Sequence, residues 1–97
     1  MLKLIAATSL ACLLASPASA SSGDAWEDFR AEVEQNCLEA TSDILTDAVA
    51  VVDPFGSESF GLAIVTGEAA PDTDVSIICV TNKQTGVVEI GGELPVL

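Results

Sequence analysis

The sequence predicts an α+β fold in which one N-terminal helix packs on a four-stranded antiparallel meander sheet. Three observations lead to this prediction. Apolar residues recur at helical spacing from Trp26 to Ala40, alternating or β-branched segments follow from residue 46 onward, and turn residues separate these segments. A cleavable signal peptide precedes the domain, and one disulfide is expected to tie the helix to the sheet.

Residues 1–20 have the three parts of an export signal. Lys3 gives a positively charged start, residues 4–14 form a short apolar run, and Ala18-Ser19-Ala20 offers the small residues needed for cleavage. The apolar run is shorter than the roughly 20 residues that span a bilayer. We therefore expect a mature protein of residues 21–97 in the periplasm or secreted to the medium.

A lipoprotein signal is the alternative interpretation of the leader. In that case Cys12 would be the lipidated residue. Ser9 stands where such a signal needs a branched apolar residue, so the cleavable signal is the preferred interpretation.

The mature chain is small and strongly acidic. Removing 20 of the 97 residues leaves 77, and the loss of Lys3 changes the net charge from −12 to −13, with Arg30 and Lys83 as the remaining cations. A chain of this size forms one domain that buries about 60% of its unfolded surface. Too few cations remain to bind nucleic acid or an anionic membrane.

Cys37 and Cys79 are the two cysteines of the mature chain. An even number of cysteines in a small exported domain predicts a structural disulfide. A redox pair would have Cys-x-x-Cys spacing, and a zinc site would need further ligands in a chain that has no histidine.

Asp24 is expected to be the capping residue at the start of the helix, because Glu27 follows three residues later at capping-box spacing. Acidic residues crowd its first turn, where the helix dipole favours them. One face of this helix is apolar and is expected to be buried: Trp26, Phe29, Val33, Cys37 and Ala40.

Four strands are expected after the helix, although residues 41–48 fit either a helix or a strand. The first three strands and their connections are predicted as a strand at 46–53, a turn at 53–58, a strand at 59–67, a polar loop at 67–74 and a strand at 75–81.

The last hairpin can be placed in register from its turn. Residues 83–86 form a four-residue loop, with Gly86 in the left-handed conformation. Cys79 then lies opposite Ile90, and Glu89 lies opposite Val80 on the other face of the sheet. A shift of one residue would bury Glu89.

The sequence does not predict an enzyme. Histidine and tyrosine are absent, so neither Ser57 nor Ser59 has a base that could activate its hydroxyl. Asp72-Thr73-Asp74 resembles part of a calcium loop but lacks the closing glutamate. We therefore expect no cofactor and no metal.

A binding function is expected instead, through the face of the sheet that a single helix cannot cover. The candidate interaction face consists of Ala63, Val65, Ile78, Val80 and Val87. Such an apolar patch is typical of contact with a protein partner or a second copy of the chain. The alternative function is an acidic inhibitor or scavenger of a cationic envelope protein, such as a lysozyme-like enzyme.

Overall fold

A computed structural model describes residues 22–96 of the chain. The predicted signal peptide, the cleavage after Ala20 and the alternative role of Cys12 lie outside the described residues. Within this described range, no helix is long and apolar enough to cross a membrane.

The described chain consists of one helix followed by four strands. The helix and strands are α1 (Ser22–Ala40), β1 (Thr46–Val52), β2 (Phe60–Ala70), β3 (Thr73–Asn82) and β4 (Val88–Leu94). The strands form one sheet in the order β1-β2-β3-β4, and each neighbouring pair is antiparallel. The helix contacts all four strands. The predicted architecture, one helix packed on a four-stranded meander, is confirmed.

Helix α1 buries the middle of its predicted apolar face. Val33 and Cys37 are almost fully buried against the sheet, whereas Ala40 at the end of the helix is exposed. Asp24 lies inside the first turn of the helix, so its assignment as the capping residue was wrong. An acidic residue is also favoured inside the first turn, where it interacts with the helix dipole. Asp24 followed by Glu27 therefore does not by itself identify the capping residue.

Residues 41–48, which fitted two interpretations in the sequence, form a turn and then the start of β1. The Thr41 hydroxyl donates a hydrogen bond to the carbonyl of Cys37 at 2.9 Å and lies within 3.3 Å of the carbonyl of Leu38. The Cys37 carbonyl also accepts the Thr41 N–H at 3.2 Å, so the hydroxyl adds a second hydrogen bond at the end of the helix. The chain turns through residues 41–44 and enters β1 at Thr46.

A disulfide between Cys37 and Cys79 joins the helix to β3, as predicted. The two Cα atoms are 5.9 Å apart, and both residues are fully buried. The bridge lies among the other buried apolar residues of the core: Val33, Leu45, Ala63, Val65 and Ile77. The covalent link therefore fixes which face of the sheet the helix covers.

The β3–β4 hairpin has the predicted register from Cys79 to the loop, and a shift of one residue follows between Ile77 and Cys79. Cys79 pairs with Ile90 and Val80 pairs with Glu89. Gly86 has φ 77°, and its N–H donates to the carbonyl of Asn82 at 2.8 Å. The left-handed glycine thus closes the loop and aligns the two strands.

The β2–β3 connection is tighter than the predicted polar loop at residues 67–74. Strand β2 continues to Ala70 and β3 starts at Thr73, which leaves a turn of Pro71 and Asp72. Asp72 has φ 61°, a left-handed conformation that aspartate tolerates better than most residues. This correction extends the pairing of β2 with β3 to the end of the hairpin.

Candidate functional site

The two faces of the sheet have different surroundings. Helix α1 packs on one face, and within residues 22–96 no other helix or strand lies over the opposite face. Strand β2 shows the difference most clearly, because its residues alternate between buried and half-buried from Phe60 to Gly67. Gly61, Ala63 and Val65 face the helix, whereas Leu62 and Ile64 face away from it.

Apolar side chains from three adjacent strands form the uncovered side. We call this group the outer face, and it comprises Val49, Val51, Leu62, Ile64, Ile78 and Val80. Ile64 pairs with Val51 of β1 and with Ile78 of β3, so the three side chains form one row across the sheet. Val51 is 69% exposed and Ile78 is 46% exposed.

Two of the five candidate interaction residues lie on the wrong side for that role. Ala63 pairs with Cys79 and Val65 pairs with Ile77. Residues directly opposite each other in an antiparallel pair point to the same face. Both side chains therefore lie in the core beneath the helix, and their placement on the uncovered face is corrected.

The other three candidates are on accessible parts of the sheet. Ile78 is exposed and Val80 is half-buried, and both belong to the outer face. Val87 is exposed just before β4, where its carbonyl accepts a hydrogen bond from the N–H of Asn82. It lies at the loop end of the hairpin, away from the row of Ile64.

Four members of the outer face were not among the candidates: Val49, Val51, Leu62 and Ile64. The β2–β3 turn alone would not have found them, because a two-residue turn at Pro71 and Asp72 pairs Ala70 with Thr73 and would place Ile64 opposite Cys79. A bulge between Glu68 and Ala70 shifts the register by one residue and places Ile64 opposite Ile78.

Polar and acidic residues border the apolar row at one end. The hydroxyls of Thr66 and Ser76 lie 3.0 Å apart and form a hydrogen bond across β2 and β3. One step further along the same face, Glu68 pairs with Asp74. On the β4 side, Glu89 pairs with Val80. The outer face is thus an apolar surface with carboxylates at its end and at its edge.

Both cations of residues 22–96 contact the loop between β1 and β2. The Lys83 ammonium donates to the carbonyls of Phe55 and Ser57 at 2.9 and 2.7 Å. The Arg30 guanidinium donates to the carbonyl of Pro54 at 3.3 Å. Arg30 lies on the helix, and Lys83 contacts the aromatic rings of Trp26 and Phe29 on the same side of the sheet. Neither charge therefore lies beside the carboxylates of the outer face.

An aromatic cluster supports this loop on the helix side. Trp26 contacts Phe29 and Phe55 edge to face, with ring centroids 5.4 and 4.9 Å apart. The Lys83 ammonium lies 5.1 Å from the Phe29 ring and 5.5 Å from the Trp26 ring, within cation–π range. These contacts hold the start of α1 against the β3–β4 hairpin.

A cleft of about 330 Å³ opens beside this cluster, between the helix and the hairpin. Trp26 and Phe29 form its apolar wall, and Thr81 and Asn82 contribute from β3. The Thr81 hydroxyl oxygen is buried without a hydrogen-bond partner. Glu32 and Lys83 also line the cleft, so its apolar wall lies beside one acidic and one basic side chain.

Asp53 stands out among the carboxylates of the described chain by its hydrogen bonds and its lowered pKa. Among residues 22–96, no three or more Cys, Asp or Glu side chains are grouped to hold a metal ion. Backbone N–H groups of Phe55 and Gly56 donate to Asp53 Oδ1 at 3.1 and 3.0 Å. These bonds, with a smaller contribution from Lys83, lower the pKa of Asp53 below its ordinary value of 3.8. A carboxylate with a lowered pKa is a weak base.

Comparisons of the chain with known protein families, proteins and structures found no match. No family model matches it, and no curated protein or solved structure is significantly similar to it. Its function is therefore inferred from its own residues.

Proposed function

We propose that this chain is an exported, non-catalytic binding module that contacts a protein partner through the outer face. The observation that carries the proposal is the row of Val51, Ile64 and Ile78, which is apolar and uncovered. A sheet that packs a helix on one side normally presents polar side chains to water on the other. Contiguous apolar surface on a small protein is typical of an interaction site.

The proposed location is supported by the leader and by the disulfide. Residues 1–20 have the composition of an export signal, and a structural disulfide persists in an oxidising compartment. The periplasm or the external medium supplies that condition. The absence of histidine from the sequence supports a role in binding rather than in catalysis.

The second candidate function is an acidic inhibitor or scavenger of a cationic envelope protein, such as a lysozyme-like enzyme. It is favoured by the net charge of −13 that the mature chain carries after loss of Lys3, and by the contacts of Arg30 and Lys83 with loop carbonyls. Purely ionic binding would be lost in about 1 M salt, where the screening length is about 3 Å. Binding through the outer face would persist there, because burial of apolar surface does not depend on charge.

A pull-down from an envelope fraction tests the proposal. The oxidised mature protein serves as bait, beside Ile78→Asp in the outer face and Gln84→Asp in the exposed β3–β4 loop. Both variants add one negative charge, so charge alone does not separate them. We expect a partner that is retained in about 1 M salt, retained by Gln84→Asp and lost with Ile78→Asp.

Two results would contradict the proposal. One is capture that Ile78→Asp leaves unchanged while circular dichroism shows that the variant is folded. The other is a mature protein that captures nothing, stays monomeric in sedimentation at high concentration and binds no hydrophobic dye.

A further inference from the structure

We propose that the partner presents a basic amphipathic helix, which docks on the outer face and completes a third layer over the sheet. This inference rests on the proposed function and names the chemistry of the partner. The helix would place apolar side chains on the row of Val51, Ile64 and Ile78, and lysine or arginine side chains toward Glu68 and Asp74.

The dimensions of the outer face suit one helix. Neighbouring strands lie about 4.8 Å apart, so three strands give a surface about 10 Å wide between their outermost axes. This width matches the overall diameter of an α-helix, which is about 10–12 Å. Packing of a helix on a sheet is a stable arrangement, and within residues 22–96 no helix or strand covers the outer face.

The charges at the end of the outer face point to a cationic partner. Glu68 and Asp74 are direct cross-strand partners on β2 and β3. Like charges directly opposite each other destabilise a sheet, and both side chains are exposed. A cation from a partner that reaches this pair would relieve the repulsion, so binding and charge neutralisation would occur together.

The spacing along the strand allows both contacts in one helix. Glu68 follows Ile64 by four residues, a distance of about 13 Å along the strand. A helix rises about 5.4 Å per turn, so a basic residue two turns beyond an apolar anchor on Ile64 comes within side-chain reach of the acidic pair.

A second copy of the chain fits this surface poorly. Each copy brings the same carboxylates, Glu68, Asp74 and Glu89, to the edge of the contact. The mature chain carries a net charge of −13 after loss of Lys3, and repulsion between two such surfaces opposes association. Arg30 and Lys83 are held by loop carbonyls away from the outer face, so neither can cross to neutralise the acids.

The test uses a labelled synthetic peptide of leucine and lysine in which the leucines recur at helical spacing. A peptide of the same composition with scrambled order serves as the first control. Binding to the oxidised mature protein is measured by fluorescence anisotropy, and amide chemical shifts map the contact. We expect saturable binding of the amphipathic peptide, with shifts concentrated in β1, β2 and β3.

The acidic pair is tested by the double variant Glu68→Gln/Asp74→Asn. We expect roughly fivefold weaker binding, the scale of two partly exposed ion pairs. The same variant should unfold at a higher urea concentration than the parent, because the like-charge pair is gone. Weaker binding by a more stable protein cannot be attributed to unfolding. Asp28→Asn/Glu34→Gln on α1 makes the same charge change away from the outer face and should leave affinity unchanged.

The apolar row is tested by Ile64→Thr/Ile78→Thr. Threonine is β-branched and favours strands as isoleucine does, so the sheet is retained. We expect loss of peptide binding in this variant at low and high salt alike.

Other outcomes separate the inference from the proposed function. Suppose that Ile64→Thr/Ile78→Thr loses peptide binding while Glu68→Gln/Asp74→Asn leaves the affinity unchanged. The outer face then binds apolar partners without a preference for charge, and the inference of a basic partner is overturned. Equal binding of the scrambled peptide, or a dimer in sedimentation that Ile78→Thr dissociates, would also overturn it. In each of these cases the envelope pull-down still decides the proposed function by itself.

Discussion

Val33 of the helix packs directly on the backbone of Gly61 in β2. A Cβ atom placed on Gly61 would lie 2.5 Å from Val33 Cγ2 and 3.3 Å from Phe29 Cζ. The helix approaches the sheet this closely because the strand has no side chain at that point. Cys37 lies one turn further along the same helix face and forms the disulfide with Cys79. The close packing of Val33 on Gly61 and the disulfide therefore belong to the same contact between helix and sheet.

Replacing this glycine is expected to destabilise the protein. Gly61→Ala forces Val33 or the helix to move, at a cost of about 1–3 kcal/mol in the free energy of unfolding. Urea unfolding followed by Trp26 fluorescence measures the change. Gly92→Ala in β4 is the control, since a Cβ there meets nothing within 4 Å. Equal stability of the two variants would mean that the helix is not packed against β2 in this way.

The disulfide is expected to contribute a large part of the total stability. Its ends are 42 residues apart in the sequence, and closing such a loop restricts the unfolded chain by about 4 kcal/mol. Cys37→Ala/Cys79→Ala should lower the free energy of unfolding by that amount, as measured by urea titration. If the free energy of unfolding of this variant were within about 1 kcal/mol of that of the oxidised protein, the disulfide would contribute little by restricting the unfolded chain.

The β3–β4 register could be predicted because its turn has a distinctive residue. Gly86 takes a positive φ that few other residues adopt, and this places Cys79 opposite Ile90. Apolar patterning then agrees with the turn. The pairing of the helix with β3 follows from the two cysteines, so the covered face of β3 was also predictable.

The covered face of β2 was not predictable in the same way. Residues after Val65 include Gly67, Glu68 and Ala69, types that are uncommon in strands, and they were interpreted as a loop. The turn uses Asp72 rather than glycine for its positive φ, and a bulge between Glu68 and Ala70 shifts the register by one residue. Without this register, Ala63 could not be aligned with Cys79, and the inner and outer residues of β2 were exchanged.

Two buried threonines should respond to the same substitution with opposite signs. The Thr81 hydroxyl is buried without a partner, so Thr81→Val removes an unpaired polar group and should stabilise the protein by about 1 kcal/mol. Thr41 donates to the carbonyl of Cys37 at 2.9 Å, so Thr41→Val should cost about 1–2 kcal/mol. Urea unfolding of both variants checks this. Destabilisation by Thr81→Val would show that its hydroxyl has a partner, such as an ordered water.

The turn after β1 should weaken in acid through Asp53. Hydrogen bonds from the N–H groups of Phe55 and Gly56 hold the pKa of Asp53 below 3.8 in the folded protein. A group whose pKa is lowered by folding contributes stability above its unfolded pKa. That contribution is lost as the pH falls through the folded pKa. We expect the Asp53 carboxyl carbon to titrate below 3.8 by NMR, and the stability advantage of the parent over Asp53→Asn to shrink as the pH falls past that value. A midpoint at or above 3.8, or a difference from Asp53→Asn that does not change with pH, would contradict this account of the turn.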